Sequence, residues 1–312
     1  MTTTHPAVDL DRLRDRAREL RRAVLEMIAA AGSGHPGGSL SAADIVAALF
    51  FHELRHDPHR PDWPDRDRFI LSKGHAAPVL YAALAACGYF DAGLLRTLRR
   101  LGSPLQGHPS VRDLPPVEAS TGSLGQGLSV GVGEALAGRL DGRDYRVFVM
   151  LGDGECDEGQ VWEAAMSAAH YGLINLVAIV DANGFQLDGP TDEIMDLGRL
   201  EEKWTAFGWD AVTIDGHDMA QVVRALAVPR PDWGASRAAG GAARGAVAGG
   251  AMSGAAAEAA GGAARPRAII ARTVKGKGVS FMEGNNEFHG RAPTAEELQR
   301  ALAELAAGGA AR

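Results

Sequence analysis

Two short acidic stretches have residue types and a spacing that could do chemistry. "LGDGECDEG" (151–159) follows an apolar run and leads into a helical pattern. Asp153 stands between two glycines there, so its carboxylate can reach a cation while the bare main chain approaches a phosphate. Thirty residues on, a second apolar run ends in "VDANGF", where Asn183 offers an amide oxygen and Phe185 a main-chain carbonyl. One carboxylate, one amide and one carbonyl, with phosphate oxygens and water completing about six ligands, suit Mg²⁺. An Asp-Gly turn after a strand is more commonly only a turn. The asparagine at the next strand end is what points to a metal.

Four histidine-glycine stretches accompany them: "GSGHPGGSLS" (32–41), "SKGHAAP" (72–78), "LQGHPS" (105–110) and "FHGRAPT" (288–294). A single such pair is usually a turn with a solvated imidazole. Four of them, at expected strand ends or helix starts, are hard to explain as turns.

The elements that must position these groups are legible from periodicity. Residues 9–31 show a helical stripe of Leu10, Leu13, Leu20, Val24, Leu25 and Ile28, ending at Gly32. A second helix is expected from near Ser41 to His52, capped by Ser39 or Ser41. Helical patterns return at 75–87, 125–139, 158–171 and 218–227, with a short apolar run, "FILS", before the second histidine. Near-continuous apolar runs at 145–153, 176–183, 209–215 and 266–274 read as strands buried on both faces. Alternation with helices predicts an α/β fold, a parallel sheet with helices on both faces. Ligands in such sheets sit at the carboxyl ends of the strands, which is where the motifs fall. One domain spanning 1–312 is expected, with a low-complexity Ala/Gly insertion at about 230–265.

Net charge is −7 with both signs interspersed, so nothing argues for nucleic acid. No run of about 18 apolar residues exists to span a membrane. Two cysteines in unlike contexts and no apolar leader make a reducing cytoplasm the expectation. "HELRH" (52–56) formally matches a zinc-protease helix, but Pro58 ends it at once. "GSLGQG" hints at a dinucleotide loop, yet its spacing is wrong and "PPVEAST" before it is no buried strand.

GDG followed by an asparagine resembles the thiamine diphosphate and Mg²⁺ signature of the thiamine enzymes. "SGHPGGSLSAADI", "DRFILSKGHAAPVLYA", "LQGHPS", "STGSLGQGLSVGVGEA" and "FHGRAPT" narrow this to the N-terminal, diphosphate-binding domain of transketolases, in the same order. The resemblance implies that Asp153, Asn183 and the Phe185 carbonyl bind Mg²⁺, with Ca²⁺ or Mn²⁺ able to substitute. It implies that His75, Gly154, Lys275 and His289 hold the diphosphate, and that Gly122, Ser123 and Leu124 line the cofactor cleft. His35, His75, His108 and His289 would ring the reacting carbon, contact sugar hydroxyls and shuttle protons. Glu158 and Glu163 match acidic residues that link active sites across the family's dimer interface. Departures are Ser123, where proline is common, and Phe185, in place of a smaller aliphatic residue.

Transketolases transfer a two-carbon ketol unit between a ketose phosphate and an aldose phosphate. The family's glutamate against the cofactor's pyrimidine, and its sugar-phosphate grip, lie in domains that follow this one. The expectation is therefore the N-terminal subunit of a split transketolase, working as an α2β2 heterotetramer with a partner that carries the pyrimidine-binding domain. A transketolase-like enzyme of specialised sugar metabolism is an alternative. So is a subunit of a 2-oxo acid dehydrogenase or decarboxylase, although such a chain is not expected to have SGHPGG or SKGH.

Overall fold

A computed structural model describes residues 8–233 and 265–310. Most of the Ala/Gly insertion lies outside the described residues.

The sequence begins with α1 (Leu10–Ala31), whose first turn is capped by the Asp9 side chain accepting from the Arg12 amide at 2.9 Å. It ends where Gly32 takes φ 64°, a left-handed conformation that glycine adopts without steric penalty. Next come α2 (Pro36–Ser41) and α3 (Ala43–Ala48). This differs from the single helix expected from Ser41: the chain turns helical at Pro36, which suits a first helical turn. Ser39 and Ser41 lie inside α2 and cap nothing. Their hydroxyls donate to the His35 carbonyl at 2.8 Å and to Asp181 at 2.6 Å instead.

"FILS" forms most of the edge strand β1 (Arg68–Leu71), followed by α4 (Ala77–Cys87), α5 (Gln126–Asp141), β2 (Val147–Gly152) and α6 (Gly159–His170). The chain continues through β3 (Leu176–Ala182), α7 (Thr191–Ile194), α8 (Leu200–Ala206), β4 (Asp210–Asp215) and α9 (Met219–Leu226). Beyond the insertion lie β5 (Arg267–Arg272) and α10 (Ala295–Ala310). A reciprocal capping box starts α10, Thr294 and Glu297 each accepting the other's amide.

All five strands are parallel, in the order β1-β2-β3-β5-β4. Alternate residues of each strand face opposite layers, as the pleat requires. Phe148 and Met150 of β2 pack into the core shared with α1, α3, α4 and α9. Val147, Val149 and Leu151 pack into the core shared with α5, α6 and Trp204 of α8. Covering both faces removes the polar alternation of a half-exposed strand, which explains the continuous apolar runs. Among the described residues no helix is long and apolar enough to cross a membrane. Cys87 and Cys156 are both free thiols.

Candidate active site

The carboxyl ends of β1, β2, β3 and β5 converge, and the turns that follow them carry Lys73–His75, Asp153–Gly154, Asn183–Phe185 and Lys275. His35 joins from the start of α2, His108 from a loop, and His289 from the end of a short 3₁₀ turn (Asn286–His289). The histidines far apart in sequence meet here: ring centroids of His35 lie 5.4 Å from His75, 5.7 Å from His289 and 6.4 Å from His108. His75 and His289 stack at 5.4 Å with 20° between their planes.

These imidazoles are held neutral. Burial, then the Arg99 charge, lowers the pKa of His35 to about 4. Burial and then Lys275 do the same for His289, also to about 4. His75 is pushed well down by burial and by Lys73, and His108 is lowered by burial and Arg99. Partners set the tautomers. The Lys275 amine donates to His289 Nδ1 at 2.8 Å and to Asn286 Oδ1 at 2.6 Å. Arg99 points a guanidinium nitrogen at His35 Nδ1 (3.4 Å) and donates to Ser33 at 2.9 Å. Both rings therefore keep their proton on Nε2. Each offers one donor to the space they enclose.

A pH dependence follows. The unfolded chain protonates these histidines below about pH 6.5, whereas folded His35 and His289 resist protonation until about pH 4. Their contribution to stability is complete above pH 6.5 and is lost as pH falls towards 4. Thermal midpoints taken from pH 7.5 to 4.5 should decline less steeply for the His35→Asn/His289→Asn double variant than for the parent chain.

On the acidic side, Asp153 is 6 % exposed, and burial together with the nearby Asp181 charge raises its pKa to about 6. Its oxygens accept the amides of Gly154 at 3.0 Å and Gly184 at 2.6 Å. Asn183 donates to Asp181 at 3.3 Å and accepts the Phe185 amide at 3.1 Å. A buried carboxylate whose charge is opposed by burial and by a second acid suits a cation, and an amide oxygen stands on the neighbouring strand end. The anion side fits as well. Lys275 is 2 % exposed, its pKa lowered to about 8 by burial and the Lys73 charge, so a phosphate beside it would offset that penalty on its ammonium. Backbone is packed close around these groups: a Cβ on Gly154 would lie 2.7 Å from Gln186 Cβ, and one on Gly37 3.0 Å from Lys275 Cγ.

Gly122 lies against the His108 ring and beside Gly74, which places the Gly122–Leu124 turn next to the His75 loop. Glu158, the residue that precedes α6, and Glu163 in its second turn are both exposed. Sequence reasoning missed four groups. Asp181, fully buried, binds Lys73, Ser41 and Thr273. Lys73, also buried, bonds the Gly38 carbonyl at 2.8 Å. Glu155 accepts the amides of Gly125 (2.9 Å) and Gly152 (3.0 Å) and the Ser72 hydroxyl, pinning three turns together. Arg99 completes the set. The signal for the first two was an acid and a lysine at the ends of apolar strands.

The zinc-protease pattern fails on geometry. His56 bonds the Phe50 carbonyl at 2.8 Å and the Tyr89 hydroxyl at 3.0 Å, so both ring nitrogens are engaged. Among the described residues no group of three His, Cys, Asp or Glu side chains is placed to hold a metal. The Asp153–Asn183 set has a single carboxylate and is of another kind. A cleft of about 660 Å³ lined by Trp209, Arg224 and Arg267 opens at the opposite, amino ends of β4 and β5.

Comparison with known proteins places the chain in a family. The model of the transketolase thiamine diphosphate-binding domain matches residues 14–234. A 6-deoxy-6-sulfo-D-fructose transketolase subunit, SqwG, of Clostridium sp. is 43% identical over 96% of this chain and 98% of its own length. One of the subunits of the apulose-4-phosphate transketolase of Phocaeicola vulgatus is 38% identical over 91% of this chain and 90% of its own length. Human transketolase is 39% identical over 90% of this chain, which spans only 40% of that protein. The crystal structure of Campylobacter jejuni transketolase superposes with a TM-score of 0.78 at 30% identity, covering 96% of this chain and 43% of the other. The chain belongs to the transketolase family and corresponds to its thiamine diphosphate-binding domain.

Proposed function

We propose that this chain is the diphosphate- and metal-binding subunit of a thiamine diphosphate- and Mg²⁺-dependent ketol transferase. It moves a two-carbon unit between a ketose phosphate and an aldose phosphate. The observation that carries this reading is the ring of four neutral histidines at the strand ends whose turns carry Asp153 and Asn183. Asp153, the Asn183 amide oxygen and the Phe185 carbonyl would bind Mg²⁺. Gly154, His75, Lys275 and His289 would hold the diphosphate, and Gly122, Ser123 and Leu124 would wall the cleft. Bound thiamine diphosphate would supply the electron sink for breaking and making the carbon–carbon bond.

The chain's own residues would orient the sugar and move protons. Neutral His35 and His289 each present an Nε2–H to a hydroxyl or carbonyl oxygen, and their low basicity keeps them donors at pH 7. His108, at the exposed edge, would meet the sugar's outer hydroxyls. Glu158 and Glu163 would face a second copy of the chain.

Full-length matches to relatives named as subunits, against 40% coverage of human transketolase, support a partner subunit. That partner would carry the pyrimidine-binding side, in an α2β2 assembly. The chain would act as one domain. Ketol transfer from xylulose 5-phosphate to ribose 5-phosphate, with the chain alone and coexpressed with its genomic neighbour, tests this. Activity is expected only in the pair; turnover by the single chain would refute the need for a partner. Relatives named for a sulfosugar and for apulose 4-phosphate favour a second reading, a specialised ketose donor. A cofactor-loaded pair inactive on xylulose 5-phosphate would select it.

A further inference from the structure

His217 touches none of the ring histidines, yet it joins the two walls that hold them. It lies in the turn between β4 and α9, with 14% of its side chain exposed. Its Nε2 accepts the Val274 amide at 2.8 Å, and its Nδ1 is 2.7 Å from Asp44 Oδ2. A ring nitrogen that accepts an amide N–H carries no proton, so the proton is on Nδ1 and is donated to Asp44. Burial would raise the Asp44 pKa, but the Arg21 charge and the His217 hydrogen bond hold it well below the usual carboxylate range. Arg21 binds both Asp44 oxygens, at 3.2 and 2.6 Å, and also donates to the Leu40 carbonyl of α2, the helix that begins beside His35.

The other end of this chain of bonds is Val274, next to Lys275. The following residue, Gly276, donates its amide to the Gly37 carbonyl at 3.0 Å. The segment 274–276 is thus fastened at both sides of the lysine, once by α2 and once by His217. Lys275 reaches Asn286 and His289 from that fixed base.

We propose that His217 is a positioning residue for the diphosphate end of the site: as the Nδ1–H tautomer set by Asp44 and Arg21, it holds the Val274 amide and so fixes where the Lys275 amine stands. This rests on the reading of Lys275 as a diphosphate ligand. Two substitutions separate the two ring nitrogens. His217→Asn keeps a donor for Asp44 but is too short to reach Val274, and His217→Gln extends an acceptor towards Val274.

The test is a double-mutant cycle with Lys275→Met, reading thiamine diphosphate affinity in Mg²⁺ and the thermal midpoint, on the chain copurified with its genomic neighbour. His217→Asn should weaken binding about tenfold, His217→Gln should stay within about threefold of the parent, and His217→Asn should add less than about twofold in the Lys275→Met background. Nitrogen-15 spectra of the parent should show Nε2 unprotonated. If His217→Asn weakens binding equally with and without Lys275, or leaves binding unchanged while Lys275→Met weakens it, the positioning role is overturned and the cofactor reading stands. If neither Lys275→Met nor His217→Asn weakens binding, the reading of Lys275 fails and the positioning role with it.

Discussion

Asp153→Asn should lower the affinity for thiamine diphosphate in Mg²⁺ by at least about 100-fold while leaving the fold intact. The proposed metal set has one anionic ligand, and a neutral amide forfeits its charge attraction in a site where Asp153 is 6 % exposed. The apo chain loses little, because the carboxylate is already disfavoured there, its pKa raised to about 6 by burial and the Asp181 charge. An amide oxygen can still accept one of the two bonds from Gly154 and Gly184. Unfolding stability should therefore change by about 1 kcal/mol. Calorimetric titration with and without Mg²⁺, beside urea unfolding of the apo chain, separates the two effects. Unchanged Mg²⁺-dependent binding would remove Asp153 from the metal site.

The largest expected stability loss comes from Gly276→Ala. Gly276 has φ 79°, and an added Cβ would lie 2.2 Å from the Met282 carbonyl oxygen and 2.5 Å from its carbon. Main chain cannot swing aside as a side-chain tip can, so the loop itself must move. The left-handed conformation adds roughly 1 kcal/mol for any residue with a Cβ, and the clash brings the total to about 3 kcal/mol or more. Because the Gly276 amide bonds Gly37 and its neighbour is Lys275, relief of the clash displaces that lysine. Urea midpoints measure the first effect, and a weakened affinity for thiamine diphosphate the second. A parent-like midpoint would show that the turn 276–282 relaxes freely.

Much of this protein was legible in its residues. Continuous apolar runs such as 145–153 and 176–183 specified buried parallel strands, since only a sheet covered on both faces removes the alternation. Five ordered motifs specified the family. The start of the second helix was not legible: Ser39 and Ser41 resemble caps locally, but the buried Asp181 and the His35 carbonyl take their hydroxyls. Local capping preference yields when a buried acid needs donors.

What the sequence determined by itself is the set of chemical groups and the strand ends and helix starts on which they stand, because local periodicity and glycine placement are properties of short segments. What the tertiary structure decided is which groups face one another and in what protonation state. Strand order sets β1, β2, β3 and β5 side by side, so histidines from residues 35 to 289 share one space. Burial there, with Lys73, Arg99 and Lys275 close by, keeps the rings neutral. The Asp181–Lys73 pair and the His217–Val274 bond join residues 108 and 57 positions apart. No local pattern encodes such partners; packing alone brings them together, and desolvation makes each bond consequential.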